Sequence, residues 1–174
     1  MKRAVLSTLI ALTASVAPVL SACAREPERS PEQELIFSEE QDAAVAAASN
    51  EARKSLPVFW AKFDAKPAGY GDYAVKAAFK TRGGSTENIW VNVIGRADGT
   101  VTGELANEPY DLSALKLGDQ VEVDETAISD WQYSKGGKLY GHFTTRALTA
   151  RANAAQRAQS AELFSPQPLE AGAN

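Results

Sequence analysis

The sequence predicts an α+β fold, with an N-terminal helix packed on a strongly curved antiparallel sheet of five or six strands and a partly closed barrel as the alternative. Three observations carry this expectation. One long helical pattern precedes all the strands, and short stretches of period-two alternation then follow one another too closely for crossover helices. Glycines recur within and between these stretches, where strands bend or turn.

The chain opens on Lys2 and Arg3, continues through an uncharged apolar run and reaches small residues before Cys23, the only cysteine among 174 residues. This order is that of an export signal. The run is interrupted by Thr, Ser and Pro18, whereas a stable membrane span wants about 20 strongly apolar residues.

Leu20-Ser21-Ala22-Cys23 resembles the lipobox of bacterial lipoproteins. The resemblance implies cleavage of residues 1–22, a diacylglyceryl thioether on Cys23 and acylation of the new amino terminus. Two or more acyl chains are needed for stable anchoring, because each buried methylene contributes about 0.8 kcal/mol. Ala24 rather than Asp follows the cysteine, which in such lipoproteins favours the periplasmic face of the outer membrane over retention at the inner one.

Cleavage leaves 152 of 174 residues, enough for one domain, and shifts the net charge from −4 to −6 by removing Lys2 and Arg3. An acidic surface argues against nucleic acid, which is bound by clustered basic residues. With Cys23 lipidated, no disulfide can form inside the domain.

The run "AREPERSPEQE" has charges, prolines and no apolar periodicity, so residues 23–37 are expected to form a lipidated tether. Ser38 with Gln41 reads as a capping box opening a helix to about Ser55, ended by Pro57. Its stripe is Val45, Ala48, Ala52 and Leu56.

"DYAVKAAFK" alternates Tyr73, Val75, Ala77 and Phe79 against Ala74, Lys76, Ala78 and Lys80, a half-buried strand. "NIWVNVIG" and "TVTGELA" are further strands, joined by "RADG" with its Asp-Gly hairpin signal. "NEPYDLSALKLGD" is a longer connection with room for one helical turn after Asp111. "QVEVDET", "ISDWQYS" and "LYGHFTT" complete the sheet, and Gly141 marks a bulge or a close backbone approach. The domain is expected over 38–151. Residues 152–174 are expected to be a polar helical or disordered tail.

The stretch from Asp42 to Arg151 resembles an uncharacterised bacterial family, domain of unknown function 2314, also called YegJ-like. The landmarks are "ARKSLPVFW", "ENIWVNVI", "GELANEP", "LGDQVEV", "ISDWQY" and "GHFTTRAL", in that order over about 110 residues. The resemblance implies a fold unit and its boundaries. It implies no activity.

Candidate chemistry is sparse. His142 is the only histidine, and Asp130 or Glu87 is the carboxylate that could orient it in a hydrolase. No Gly-x-Ser-x-Gly nucleophile motif occurs. Asp119, Glu122, Asp124 and Glu125 lack the loop pattern of a calcium site, and the glycine-rich turns do not open helices as phosphate loops do. The sequence therefore calls for no metal and no cofactor.

A possible ligand-binding face gathers Glu87, Trp90, Glu108, Asp130, Trp131, Tyr133 and His142, with Tyr140 beside Tyr133 across the last hairpin. The expected function is an envelope lipoprotein whose domain binds or scaffolds an unknown periplasmic protein or ligand without catalysis. An inhibitor of an envelope-directed enzyme and a His142-dependent hydrolase are the alternatives.

Overall fold

The computed structural model describes residues 31–172, with side chains described from Asp42 onward. Cys23, the leader and tether residues 23–30 lie outside the described residues.

Four α-helices and a six-stranded antiparallel sheet make an α+β fold: α1 (Pro31–Lys54), α2 (Leu56–Ala65), β1 (Tyr70–Lys80), β2 (Thr86–Ala97), β3 (Thr100–Leu105), β4 (Gln120–Asp124), β5 (Ile128–Lys135), β6 (Lys138–Gly141), α3 (Phe143–Thr149) and α4 (Ala154–Leu163). A 3₁₀ turn, Glu125–Ala127, joins β4 to β5. The strand order is β4-β3-β2-β1-β5-β6. No ladder joins β4 to β5 or β6, so the sheet stays open and the barrel alternative does not hold.

The sheet is nevertheless curled, and the chain length shows why. β4 and β5 lie four inter-strand steps apart, about 19 Å along a flat sheet at ~4.8 Å per step. The connection from Asp124 to Ile128 spans at most about 14 Å when fully extended. Only a curled sheet brings the two strands within its reach. Three register shifts supply local bends: between Val93 and Gly95, between Gly71 and Ala74, and between Lys76 and Ala77 opposite Ser129.

The hydrophobic core fills the inner face of the curl. Val75, Ala77, Ile89, Val91, Val101, Leu105 and Ile128 from the strands meet Phe59, Trp60 and Phe63 from α2. Pro57, expected to end the first helix, instead sits in the first turn of α2, where its fixed φ is tolerated. From there Leu56, Phe59, Trp60 and Phe63 recur at helical spacing and aim into the curl. Lys66, with φ 42°, ends the helix in the left-handed region.

Other elements depart from expectation. α1 begins at Pro31, so Ser38, expected as its N-cap, lies inside the helix, and residues 31–37 are not tether. The connection 106–119 contains no helical turn. "HFTT" was expected to finish the last strand, but β6 ends at Gly141 and the chain turns into α3. Two helices follow β6, α3 and then α4, the second lying within the expected tail and opened by a capping box between Asn153 and Gln156.

The expected hairpins are present, with Asp98 and Gly99 both at positive φ in the β2–β3 turn and Tyr133 paired with Tyr140 across β5–β6. Of β5, β6 covers only Gln132–Lys135. On the uncovered half of β5, α1 side chains take the place of a strand: Ser49 Oγ donates to the Ser129 carbonyl at 2.8 Å and Arg53 to that of Ile128 at 3.3 Å.

The segment after α4, expected to be a frayed tail, is a strap fixed to β6. Phe164 and Ser165 are buried, Ser165 N–H donates to the Leu139 carbonyl, and Gly141 N–H donates to that of Pro168. Glu170 accepts hydrogen bonds from the Tyr70 and Tyr133 hydroxyls and from Lys135, with Lys62 Nζ 3.6 Å away. Burial pushes its carboxyl up, but these three hydrogen bonds and the Lys62 charge outweigh that and hold it at about 2.

Of the bulge and the close backbone approach expected at Gly141, the structure has the close approach. The glycine's φ is +78°, and a Cβ there would lie 2.1 Å from the Trp131 carbonyl oxygen and 2.7 Å from the indole ring. Gly141→Ala combines a left-handed strain of about 1–2 kcal/mol with a backbone clash, so a loss above about 2 kcal/mol is expected in urea unfolding. A loss below about 0.5 kcal/mol would contradict the packing described.

Candidate functional site

Along β1 the side chains of Val75 and Ala77 enter the core, so Lys76 points to the outer face. The ladders place Trp90 of β2 and Asp130 of β5 on either side of it. This cross-strand row, Trp90–Lys76–Asp130, is the floor on which α3 sits.

Asp130 is 0% exposed. Its Oδ1 accepts from the backbone N–H of Trp131 at 2.8 Å and of Phe143 at 3.1 Å. Oδ2 accepts from Thr144 N–H at 2.8 Å and from Thr144 Oγ1–H at 2.6 Å. The carboxylate thus satisfies the first amides of α3, the duty of a capping side chain, although it comes from a different strand. Each donor stranded by its removal would cost about 1–3 kcal/mol.

Lys76 Nζ donates to Thr144 Oγ1 at 2.9 Å and lies 5.0 Å from the Trp90 ring centre. Burial pushes the ammonium pKa down, with the Asp130 charge opposing. Among the described residues no carboxylate oxygen lies within ion-pair distance of it.

A pocket of about 290 Å³ opens beside Lys76. Val45, Ala46 and Ser49 of α1 form one wall and Leu148 of α3 another; Asn88 and Ser129 belong to the sheet, and Asp42 and Arg53 stand at the rim. Ser129 Oγ bridges the Lys76 carbonyl and Asn88 Oδ1, each at 3.2 Å.

His142 is the residue before α3, at φ 55°, and its ring lies between Trp90 and Phe164, with both centroids at 4.8 Å. Nδ1 is 3.4 Å from Thr145 Oγ1, and Nε2 is buried with no hydrogen-bond partner among the described residues. No hydrogen bond joins the ring to Asp130 or Glu87. Burial first, then the charges of Lys76 and Arg146, push its pKa down to about 4.

The residues singled out in the sequence therefore separate. Trp90, Asp130 and His142 come together around Lys76 and α3. Trp131 and Tyr133, expected to be on a ligand-binding face, are 0% exposed. Trp131 packs 5.6 Å from Phe59 and donates Nε1–H to the Ala52 carbonyl, so it belongs to the core.

Glu87 and Glu108 serve the β3–β4 connection. Glu87 accepts from the N–H groups of Tyr110 and Asp111 at 2.7 and 2.9 Å, and Glu108 from that of Leu117 at 3.1 Å. Lys76, Thr144 and Arg53 were missed by the sequence reading. Lys76 stood there as one of several polar positions on an outward strand face, and only the β5 register reveals its neighbours.

These features define a small α+β domain, a curled sheet plugged by one helix inside and capped outside by another, with a side pocket between the cap and the sheet. Residues 42–163 match the family described as an uncharacterised protein conserved in bacteria, DUF2314, and the chain belongs to it. It is 32% identical over 101 residues to the uncharacterised protein YegJ of Escherichia coli, covering 58% of this chain and 64% of that one. It is 29% identical over 132 residues to a putative ankyrin repeat protein of Neisseria meningitidis serogroup B, covering 72% of this chain and 52% of that one. The chain thus spans less than two thirds of the length of either relative. No solved structure matches it significantly.

The His142 geometry fixes a pH dependence. Its folded pKa of about 4 lies below the ordinary value of 6.5. The stabilisation is therefore complete above about pH 6.5 and is lost as pH falls towards about 4. His142→Asn, a residue that tolerates a left-handed φ, should flatten the stability profile between about pH 7 and 4 by up to about 3 kcal/mol. Urea unfolding at stepped pH measures this, and an unchanged slope would assign the titration to another group.

Proposed function

We propose that this chain is an envelope lipoprotein, lipidated at Cys23, whose domain is a non-catalytic binding module with the pocket beside Lys76 as its ligand site. The observation that carries the reading is the allocation of polar groups around α3. The carboxylates that could have oriented His142 serve as backbone acceptors, whereas the Lys76 ammonium faces the pocket without an ion pair. The lipobox order at Leu20–Cys23 supports the anchor, and the periplasmic face of the outer membrane is the proposed address.

Two measurements test the two halves. Cys23→Ala should move the chain from the membrane to the soluble fraction and abolish labelling by radioactive palmitate. Unchanged partition would remove the anchor. For the site, the full chain in detergent is dialysed against small molecules extracted from envelopes, with retained compounds identified by mass spectrometry. Ala46→Trp, at an exposed position lining the pocket, should cut retention at least tenfold; equal retention would place binding elsewhere.

A second reading, an inhibitor of a basic envelope-directed enzyme, draws on the exposed acids Glu104, Glu122 and Asp124 of β3 and β4. It expects salt-sensitive binding to a cationic muramidase. Binding indifferent to salt, or absent, would count against it.

A further inference from the structure

Lys76 is partly buried, one of its three ammonium protons is donated to Thr144, and the Trp90 ring covers another side. A buried cation is ordinarily paired, because its lost hydration must be replaced by an opposite charge or by acceptors. Asp130 does not pair with it directly, since Thr144 Oγ1 stands between them, accepting from Lys76 and donating to Asp130. The remaining ammonium donors are left to the pocket.

The pocket rim repeats the same imbalance. Arg53 uses one terminal nitrogen on the Ile128 carbonyl and the other on Asn50, leaving guanidinium protons over. Asn88 commits its carbonyl oxygen to Ser129, so its amide nitrogen remains as a donor. Against these donors stands the carboxylate of Asp42, which is exposed at the rim. At about 290 Å³ the cavity is at the small end of ligand sites, suited to a compact molecule or one terminal group.

Resting on the pocket reading above, we infer that this site takes an oxyanion, a carboxylate or phosphate group seated on Lys76, with Arg53 and Asn88 completing its shell. The ligand supplies the direct ion pair that Asp130, one hydroxyl away, does not make, and the apolar wall of Val45, Ala46 and Leu148 receives its carbon skeleton. Carboxylate and phosphate share this chemistry and differ in shape.

The test titrates the full chain in detergent, with lysine side chains labelled with ¹⁵N, against acetate, inorganic phosphate and neutral glycerol. Saturable shifts of the Lys76 Nζ resonance with acetate or phosphate, but not with glycerol, are expected, and the stronger of the two anions identifies the group. Lys76→Gln should weaken calorimetric binding at least tenfold. Arg53→Gln, at an exposed position, should weaken it several-fold, with urea unfolding of the same variant showing that the loss of its bond to the Ile128 carbonyl leaves the domain folded.

Anion binding that leaves the Lys76 resonance unmoved, or that survives Lys76→Gln, would overturn the inference. So would saturation by glycerol in place of the anions, although the pocket would then still bind a ligand. Retention of envelope compounds that Ala46→Trp does not reduce would instead overturn the pocket reading itself.

Discussion

The carboxylate of Asp130, sealed from water beneath the first turn of α3, is the interaction on which the outer face of the domain depends. It fixes three things at once. By accepting from Phe143 and Thr144 it sets where the helix starts, and by accepting from Thr144 Oγ1 it orients the hydroxyl that holds Lys76. By accepting from Trp131 N–H it also holds the β5 backbone to which His142 N–H donates, at the left-handed corner where the His142 ring is pressed between Trp90 and Phe164. Buried polar groups of this kind are sensitive to geometry, because a half-satisfied network in a low-dielectric site is worse than none.

On the inner face the governing constraint is length rather than charge. The three-residue turn between β4 and β5 cannot cross a flat sheet, so the strands curl and the bulges absorb the bend. A curled sheet without a closing ladder has an open seam and a hollow interior. α2 supplies Phe59, Trp60 and Phe63 to the hollow, and the aromatic stack Trp131–Tyr133–Tyr140 continues the filling towards β6. The two faces meet at β5, whose alternating residues give Trp131 to the core and Asp130 to the cap.

Where local chemistry decides, the sequence was readable. The alternation along β1, the Asp-Gly turn, the succession of short strands and the close approach at Gly141 all follow from residues near one another. Where a distant partner decides, it was not. Phe143-Thr144-Thr145 reads as the end of a strand and instead opens a helix whose first amide is accepted by a carboxylate 13 residues away. Pro57 is compatible with ending one helix or starting the next, and the aromatic residues that follow it choose the second. Alternation showed that Trp131 and Tyr133 share a face, but nothing local said that this face was the inner one. The candidate site was legible as the single residues Trp90, Asp130 and His142. Its centre, Lys76, required knowledge of the strand order.

The bond between Tyr70 and Glu170 closes a loop of 100 residues. Such a closure is entropically unfavourable until the sheet has already brought its ends near. The strap is therefore laid over a sheet that exists before it, and its contribution falls on the rate of opening more than on the rate of assembly. It acts as a latch with two catches: Glu170 holds the Tyr70 and Tyr133 hydroxyls and the Lys135 ammonium, while Ser165 and Pro168 hold the edge of β6. The strap thus covers the β6 edge while resting on the core through Leu169 and Tyr133, at a distance in sequence from the residues that line the pocket.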